Sequence, residues 1–136
     1  MEAIENKNIE RVNSILKNST ENKKILELNE KNKYGNYPLL LAIIKNNIEI
    51  VQLLIDYANQ HQITLELNKK NNYGFYPLLL AIDKNNIEIV KLLIEYANQH
   101  QIILEYIKWD IEDKPKIKNL LQNYEKEMEK RKKVIK

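Results

Sequence analysis

The stretch "YGNYPLLLAI" spans Tyr34–Ile43, and "YGFYPLLLAI" spans Tyr73–Ile82. They differ at one position, Asn36 against Phe75. Both belong to a longer self-match. Shifted by 39 residues, 27–65 overlays 66–104 without a gap and is identical at 32 of 39 positions. The seven differences are Glu30/Lys69, Lys33/Asn72, Asn36/Phe75, Ile44/Asp83, Gln52/Lys91, Asp56/Glu95 and Thr64/Ile103. The same shift reaches the start of the chain, where "AIENKNIERV" from Ala3 overlays "AIIKNNIEIV" from Ala42. That first copy lacks the Tyr-Gly-x-Tyr-Pro part. A period of this size means an array of stacked units.

Each unit reads as two helices. Pro38 and Pro77 suit the first turn of a helix, where the missing N–H costs nothing. The run Leu39–Ile43 is apolar nearly all round, so this short helix is expected to lie sandwiched between neighbours. Asn46 suits the left-handed residue that closes a helix, and Asn47 the cap of the next. Asn85 and Asn86 repeat the pair. Lys7 stands in the closing position of the first copy and fits it less well, while Asn8 keeps the cap. The second helix places Ile48, Val51, Leu54, Ile55 and Ala58 in one apolar stripe. Glu49 and Glu88 fall in its first turn, where negative charge suits the helix dipole. Gly35 and Gly74 suit a turn with positive φ.

Composition narrows the rest. The chain has 136 residues, no Cys, two Gly and three Pro, and is rich in Leu, Ile, Lys, Glu and Asn. Disulfides and thiolate chemistry are excluded, and helix is favoured over strand. No apolar run is long enough to span a membrane, and the polar, acidic N-terminus has no signal-peptide pattern. A cytoplasmic location is the default expectation. Residues 1–104 balance 12 basic against 12 acidic residues, while 105–136 hold 10 against 7, so the net charge of +3 resides in the tail. The body is not the basic surface that nucleic acid selects.

In these residues the chain resembles the ankyrin repeat family. That family's unit has a turn ending in Gly, then Thr-Pro-Leu-His opening an inner helix. A break, an outer helix of the Glu-Ile-Val-x-Leu-Leu type and a loop follow. Gly35, Pro38, Leu39, Ala42, Glu49, Ile50, Val51, Leu53 and Leu54 fall on that pattern. So do Gly74, Pro77, Leu78, Ala81, Glu88, Ile89, Val90, Leu92 and Leu93. The resemblance covers roughly residues 3–104. Tyr37 and Tyr76 replace the Thr, and Leu40 and Leu79 replace the His that ties adjacent loops. The unit is 39 residues long, against about 33 in the family. A longer outer helix, a shorter or absent β-hairpin, and loops held by packing in place of hydrogen bonds are therefore expected. The implied fold is an all-α solenoid over residues 1–136. It has an opening cap (1–26), two full repeats (27–65, 66–104) and a closing cap with a charged helical tail (105–136). "IKNLLQNY" overlays "IVKLLIEY" when the shift shortens to 28, so the last unit's first helix is truncated or missing. Pro115 is expected to start a helix to about Lys132, with Ile117, Leu120, Leu121, Tyr124 and Met128 on its apolar face and a frayed end.

No catalytic constellation emerges. His61 and His100, each in "ANQHQ", read as exposed polar loop residues without further ligands at metal spacing. Glu49 and Glu88 recur one unit apart as dipole partners, not as an acid–base pair. Ser14, Ser19 and Thr20 lie near no evident base, and the two Gly residues are isolated, so no phosphate loop exists. Tyr37, Tyr57, Tyr76 and Tyr96 read as structural, and Trp109 as a cover for the last unit. The expectation is a non-enzymatic module without metal, cofactor or small-molecule substrate. It binds another protein as a monomer, with neither membrane nor nucleic acid as its target.

The resemblance places the binding face on the turn tips and the exposed edge of the inner helix. Unlike residues in otherwise identical units should face solvent, so the turn pairs Lys33/Asn72 and Asn36/Phe75 and the helix-end pair Ile44/Asp83 become candidates. Tyr34, Tyr73 and Phe75 are the expected aromatic anchors, Ile44 an apolar contact, and Lys33, Lys45, Asp83 and Lys84 the charges that select a partner. Neutral drift at all seven positions is the competing reading. Two alternatives belong to other classes: a nuclear or nucleic-acid role through the tail "KRKK", and a purely structural spacer.

Overall fold

The computed structural model describes residues 1–106 and 111–135, and among them lie seven helices and no strand. Three short inner helices are α1 (Glu2–Glu5), α3 (Pro38–Ile44) and α5 (Pro77–Asp83). The long outer helices are α2 (Ile9–Glu21), α4 (Ile48–Gln60), α6 (Ile87–His100) and α7 (Pro115–Ile135). Each inner helix packs on the outer helix after it and on the next inner helix, and the outer helices form a second row in the order α2, α4, α6, α7. This is a helical-repeat solenoid. Trp109 lies outside the described residues.

Local chemistry sets the helix ends. Pro38 and Pro77 open α3 and α5. Asn8, Asn47 and Asn86 cap α2, α4 and α6 by accepting from the N–H of Arg11, Ile50 and Ile89. The inner helices close on left-handed Lys7, Asn46 and Asn85. A second left-handed series, Lys23, Gln62 and Gln101, closes the outer helices at the same 39-residue interval. Long side chains gave no hint of this conformation, which favours Gly and Asn.

The core is continuous through the stack. Leu39–Ile43 are all buried, as expected of a sandwiched helix. The stripe of α4 is broader than its spacing suggested and shifted around the helix. Ile50 and Tyr57 are buried, whereas Ile48 is 36% exposed. An outer helix touches α2 and α6 on its flanks as well as α3 beneath it, so its buried arc exceeds a single stripe. None of the residues at the seven differing positions is buried.

The link between units is polar where packing alone was expected. The buried Tyr96 hydroxyl accepts from Leu65 N–H (2.9 Å) and donates to Ile63 C=O (3.3 Å), tying α6 to the loop of the preceding unit. Tyr57 does the same for Leu26 N–H (3.0 Å) and also pairs with Ser19. Tyr124 on α7 accepts from Leu104 N–H (3.0 Å) and donates to Ile102 C=O (3.1 Å). By these bonds α7 takes the place of an outer helix, at the shortened spacing of 28 residues read from the sequence.

Asn29 and Asn68 replace the missing hairpin. The Asn29 amide donates to Thr64 C=O (2.9 Å) and accepts from Glu66 N–H (3.0 Å). Asn68 treats Ile103 and Glu105 alike, at 2.7 and 3.1 Å. Each side chain thus pairs with the neighbouring extended segment as a strand backbone would. Leu65 and Leu67, both buried, anchor that segment.

The histidines join this system and are not exposed loop residues. His61 lies against the Tyr57 ring, 4.2 Å between centroids, and its Nε2 is 2.9 Å from Thr20 Oγ1. His100 lies against Tyr96 at 4.1 Å, with Nε2 2.9 Å from Asn59 Oδ1. The ladder Thr20–His61, Asn59–His100 points next to Asn98. There the partner position, four residues after Tyr124, is Met128. Asn98 Oδ1 is buried and has no hydrogen-bond partner among the described residues.

At the tail, α7 runs to Ile135, past the expected end near Lys132. The pairs Lys130–Glu127 (3.5 Å) and Lys132–Glu129 (3.8 Å) support its charged last turns. Restoring the ladder tests the register of α7. Met128→His should give Asn98 Oδ1 a donor and raise stability by about 1 kcal/mol in denaturant unfolding. A destabilised variant would place α7 out of register.

Candidate turn-face interaction site

The two turns hold the aromatic candidates and are built alike. Asn32 Oδ1 accepts from Tyr34 N–H and Asn36 N–H, both at 3.0 Å, folding the chain into a side-chain-braced loop. Asn71 does so for Tyr73 and Phe75, at 2.9 and 3.0 Å. Gly35 (φ 79°) and Gly74 (φ 84°) supply the left-handed residue of each turn. Gly35 is needed twice over, because a Cβ there would stand 2.8 Å from Asn72 N.

The second turn sits directly on the first. Asn72 N–H donates to Tyr34 C=O (3.0 Å), and Asn72 Nδ2 to Lys33 C=O (2.9 Å). Asn71 Nδ2 donates to Asn36 Oδ1 (2.8 Å), Lys31 Nζ to Lys70 C=O (3.2 Å), and the Tyr37 hydroxyl to Lys69 C=O (2.9 Å). Burial, and secondarily the nearby Glu66 carboxylate, push the Tyr37 phenol up, so it stays a neutral donor at physiological pH.

This geometry gives two of the repeat differences a structural meaning. Asn36 and Asn72 face each other's turns and are bonded there. The expectation that the differing positions face solvent is therefore corrected for Asn36, the third residue of "YGNY". Lys33 and Phe75 occupy the two outer edges of the turn pair. Tyr34 is 46% exposed, Tyr73 69% and Phe75 41%. The Tyr73 and Phe75 rings have centroids 6.4 Å apart and planes inclined by 29°, and the Lys33 ammonium stands 5.1 Å from the Tyr34 centroid.

The remaining candidates stand elsewhere. Ile44, Lys45, Asp83 and Lys84 lie at the C-terminal ends of α3 and α5, joined through Asn86 Nδ2→Asn46 Oδ1 (2.7 Å). A seven-residue helix, about 10 Å long at 1.5 Å per residue, separates this cluster from the turns. The expected exposed edge of the inner helix is absent in α3, where only Pro38 and Ile44 are partly exposed. The candidates thus form a turn cluster and a helix-end cluster. A groove of about 1000 Å³ runs along α7 beside Ile103 and Tyr106, and none of the candidates lines it.

No reactive group is assembled from the Ser and Thr residues. His61, contrary to expectation, does lie beside Thr20. However, the Thr20 hydroxyl donates to Leu16 C=O (3.1 Å), so the imidazole meets it as donor and activates nothing. Among the described residues no group of three or more His, Asp or Glu is arranged to hold a metal ion.

The unequal roles of Asn36 and Phe75 are measurable. Asn36→Ala removes the partner of the buried Asn71 amide and should cost about 1 kcal/mol in chemical denaturation. Phe75→Ala should cost well under that. Equal costs would contradict the stacked-turn geometry.

The comparisons agree with this architecture. The family model described as "Ankyrin repeats (3 copies)" matches residues 1–103. No curated protein and no solved structure matches the chain. Ankyrin repeats are in general non-catalytic modules for protein–protein interaction. Among the described residues no helix is long and apolar enough to cross a membrane. Unit period, helix pairing and family match converge, and the chain belongs to the ankyrin repeat family.

Proposed function

We propose that this chain is a cytoplasmic protein-binding module that docks one protein partner on its turn face as a monomer. The observation that carries the reading is the distribution of aromatics. Among the described residues every exposed aromatic side chain is a turn residue: Tyr34, Tyr73 and Phe75. The turns beneath them are braced by side-chain and inter-turn hydrogen bonds. An aromatic presented on an ordered backbone costs little entropy on binding and buries much area. Lys33 borders this cluster. Ile44, Lys45, Asp83 and Lys84 form a second, outlying contact, while Asn36 and Asn72 contribute chiefly by holding the turns. Residues 1–26 and 105–136 act as caps to the units at 27–65 and 66–104.

The tail is the weaker alternative, because Lys130 and Lys132 are each paired with a glutamate on their own helix. The test is affinity capture from the native cell with mass spectrometry, followed by calorimetry on the recovered partner. Phe75→Ala should weaken binding by about tenfold or more, roughly 1.4 kcal/mol, with the thermal midpoint nearly unchanged. Full binding by Phe75→Ala would contradict the assignment, and so would a large loss of stability.

A further inference from the structure

The charge of the body is balanced in sum and divided in space. The two turns and the ends of α3 and α5 carry Lys31, Lys33, Lys45, Lys69, Lys70 and Lys84 against Glu30, Glu66 and Asp83. The outer helices α2, α4 and α6 carry the reverse. Their six acidic residues are Glu10, Glu21, Glu49, Asp56, Glu88 and Glu95, against Arg11, Lys17 and Lys91. A zero net charge thus conceals a positive turn side and a negative helical side.

The basic side is largely without neutralising partners. Of its six lysines only Lys69 has an ion-pair partner among the described residues, Glu66 at 3.8 Å, and that pair is half exposed. Turn stacking gathers four of them, because Lys31 bonds Lys70 C=O and Asn72 bonds Lys33 C=O across the units. The exposed rings of Tyr34, Tyr73 and Phe75 lie in the same turn pair.

We propose that the turn face recognises an acidic protein segment that carries an apolar or aromatic residue among its carboxylates. This rests on the docking reading above and adds the chemistry of the partner. Carboxylates would meet lysines that, Lys69 apart, have no carboxylate partner among the described residues, and the apolar residue would cover the ring pair. The field of the turn side would steer such a segment in, while the acidic outer helices repel it. Nucleic acid fits less well. Asp83 and Glu30 interrupt the basic set, and a polyphosphate needs a longer run of phosphate contacts.

The test uses the full chain as bait for a displayed library of random short peptides, with the selected sequences then synthesised. Selected peptides should carry an excess of Asp and Glu and lose about tenfold in affinity on going from low to high NaCl. A comparable loss is expected in the triple variant Lys33→Gln/Lys69→Gln/Lys70→Gln. Its lysines are exposed, so its thermal midpoint should match wild type. Lys17→Gln/Lys91→Gln on the acidic side should bind normally. Peptides that need Phe75 yet show no acidic excess and tolerate the triple variant would overturn the acidic partner while leaving the turn face in place. Peptides indifferent to both Phe75→Ala and the triple variant would overturn both readings, as would an empty selection. A single-stranded oligonucleotide of matched charge that outcompetes the peptides at the turn lysines would replace the protein segment with nucleic acid.

Discussion

An extended loop segment between two helical units has backbone N–H and C=O groups that must find partners where water is excluded. Here that constraint is met by side chains reaching across from the neighbouring unit. One tyrosine hydroxyl and one asparagine amide per unit do most of it. Tyr96 takes Leu65 N–H and Ile63 C=O, and Asn29 takes Thr64 C=O and Glu66 N–H. These bonds fix how far one unit can slide on the next. They also explain how a chain without described β-strands holds such long inter-helical segments in order. The hydroxyl of Tyr96 stays protonated because burial disfavours the phenolate, so its donor role is secure.

The stacked turns follow from the same register. Once the loops are locked, Asn71 and Asn72 fall onto Asn36, Tyr34 and Lys33 of the unit before. Two polar positions become internal to the turn pair, and Lys33 and Phe75 are left at its margins. A comparison of repeats by identity treats Asn36/Phe75 as one variable position. In the stack it is an interior position in one unit and an edge in the other. The exposed rings are therefore mounted on turns braced from within and from below, which is what a preformed recognition surface requires.

Much of the fold was legible because it is written twice. The 39-residue period, Pro38 and Pro77 at helix starts, and the Asn-Asn breaks each have a direct physical reading, and each is met in the structure. Tyr34, Tyr73 and Phe75 were also correctly read as exposed. What escaped was long-range. Replacing the family's His with Leu40 suggested loops held by packing. The hydrogen bonds had instead moved to Asn29, Tyr57 and His61, residues whose partners lie 31 to 41 positions away. A polar residue in a loop looks solvated until its neighbour in the stack is known. The left-handed Gln62 and Gln101 carried no propensity signal, though their recurrence at the unit period was a clue. The chemistry of the turn face was obscured by summing charge along the chain, because the two signs segregate by element and not by sequence segment.

The cross-unit bonds hold the stack in register, and native-state amide hydrogen exchange observes them residue by residue. Leu26, Leu65 and Leu104 donate to tyrosine hydroxyls, and Glu66 and Glu105 to asparagine amides, outside any helix. These amides should exchange as slowly as those in the middle of α4 and α6, opening only with the unit they join. Exchange at the rate of solvated loop amides, with α4 and α6 still protected, would show that the units are held by apolar packing alone and would contradict the account.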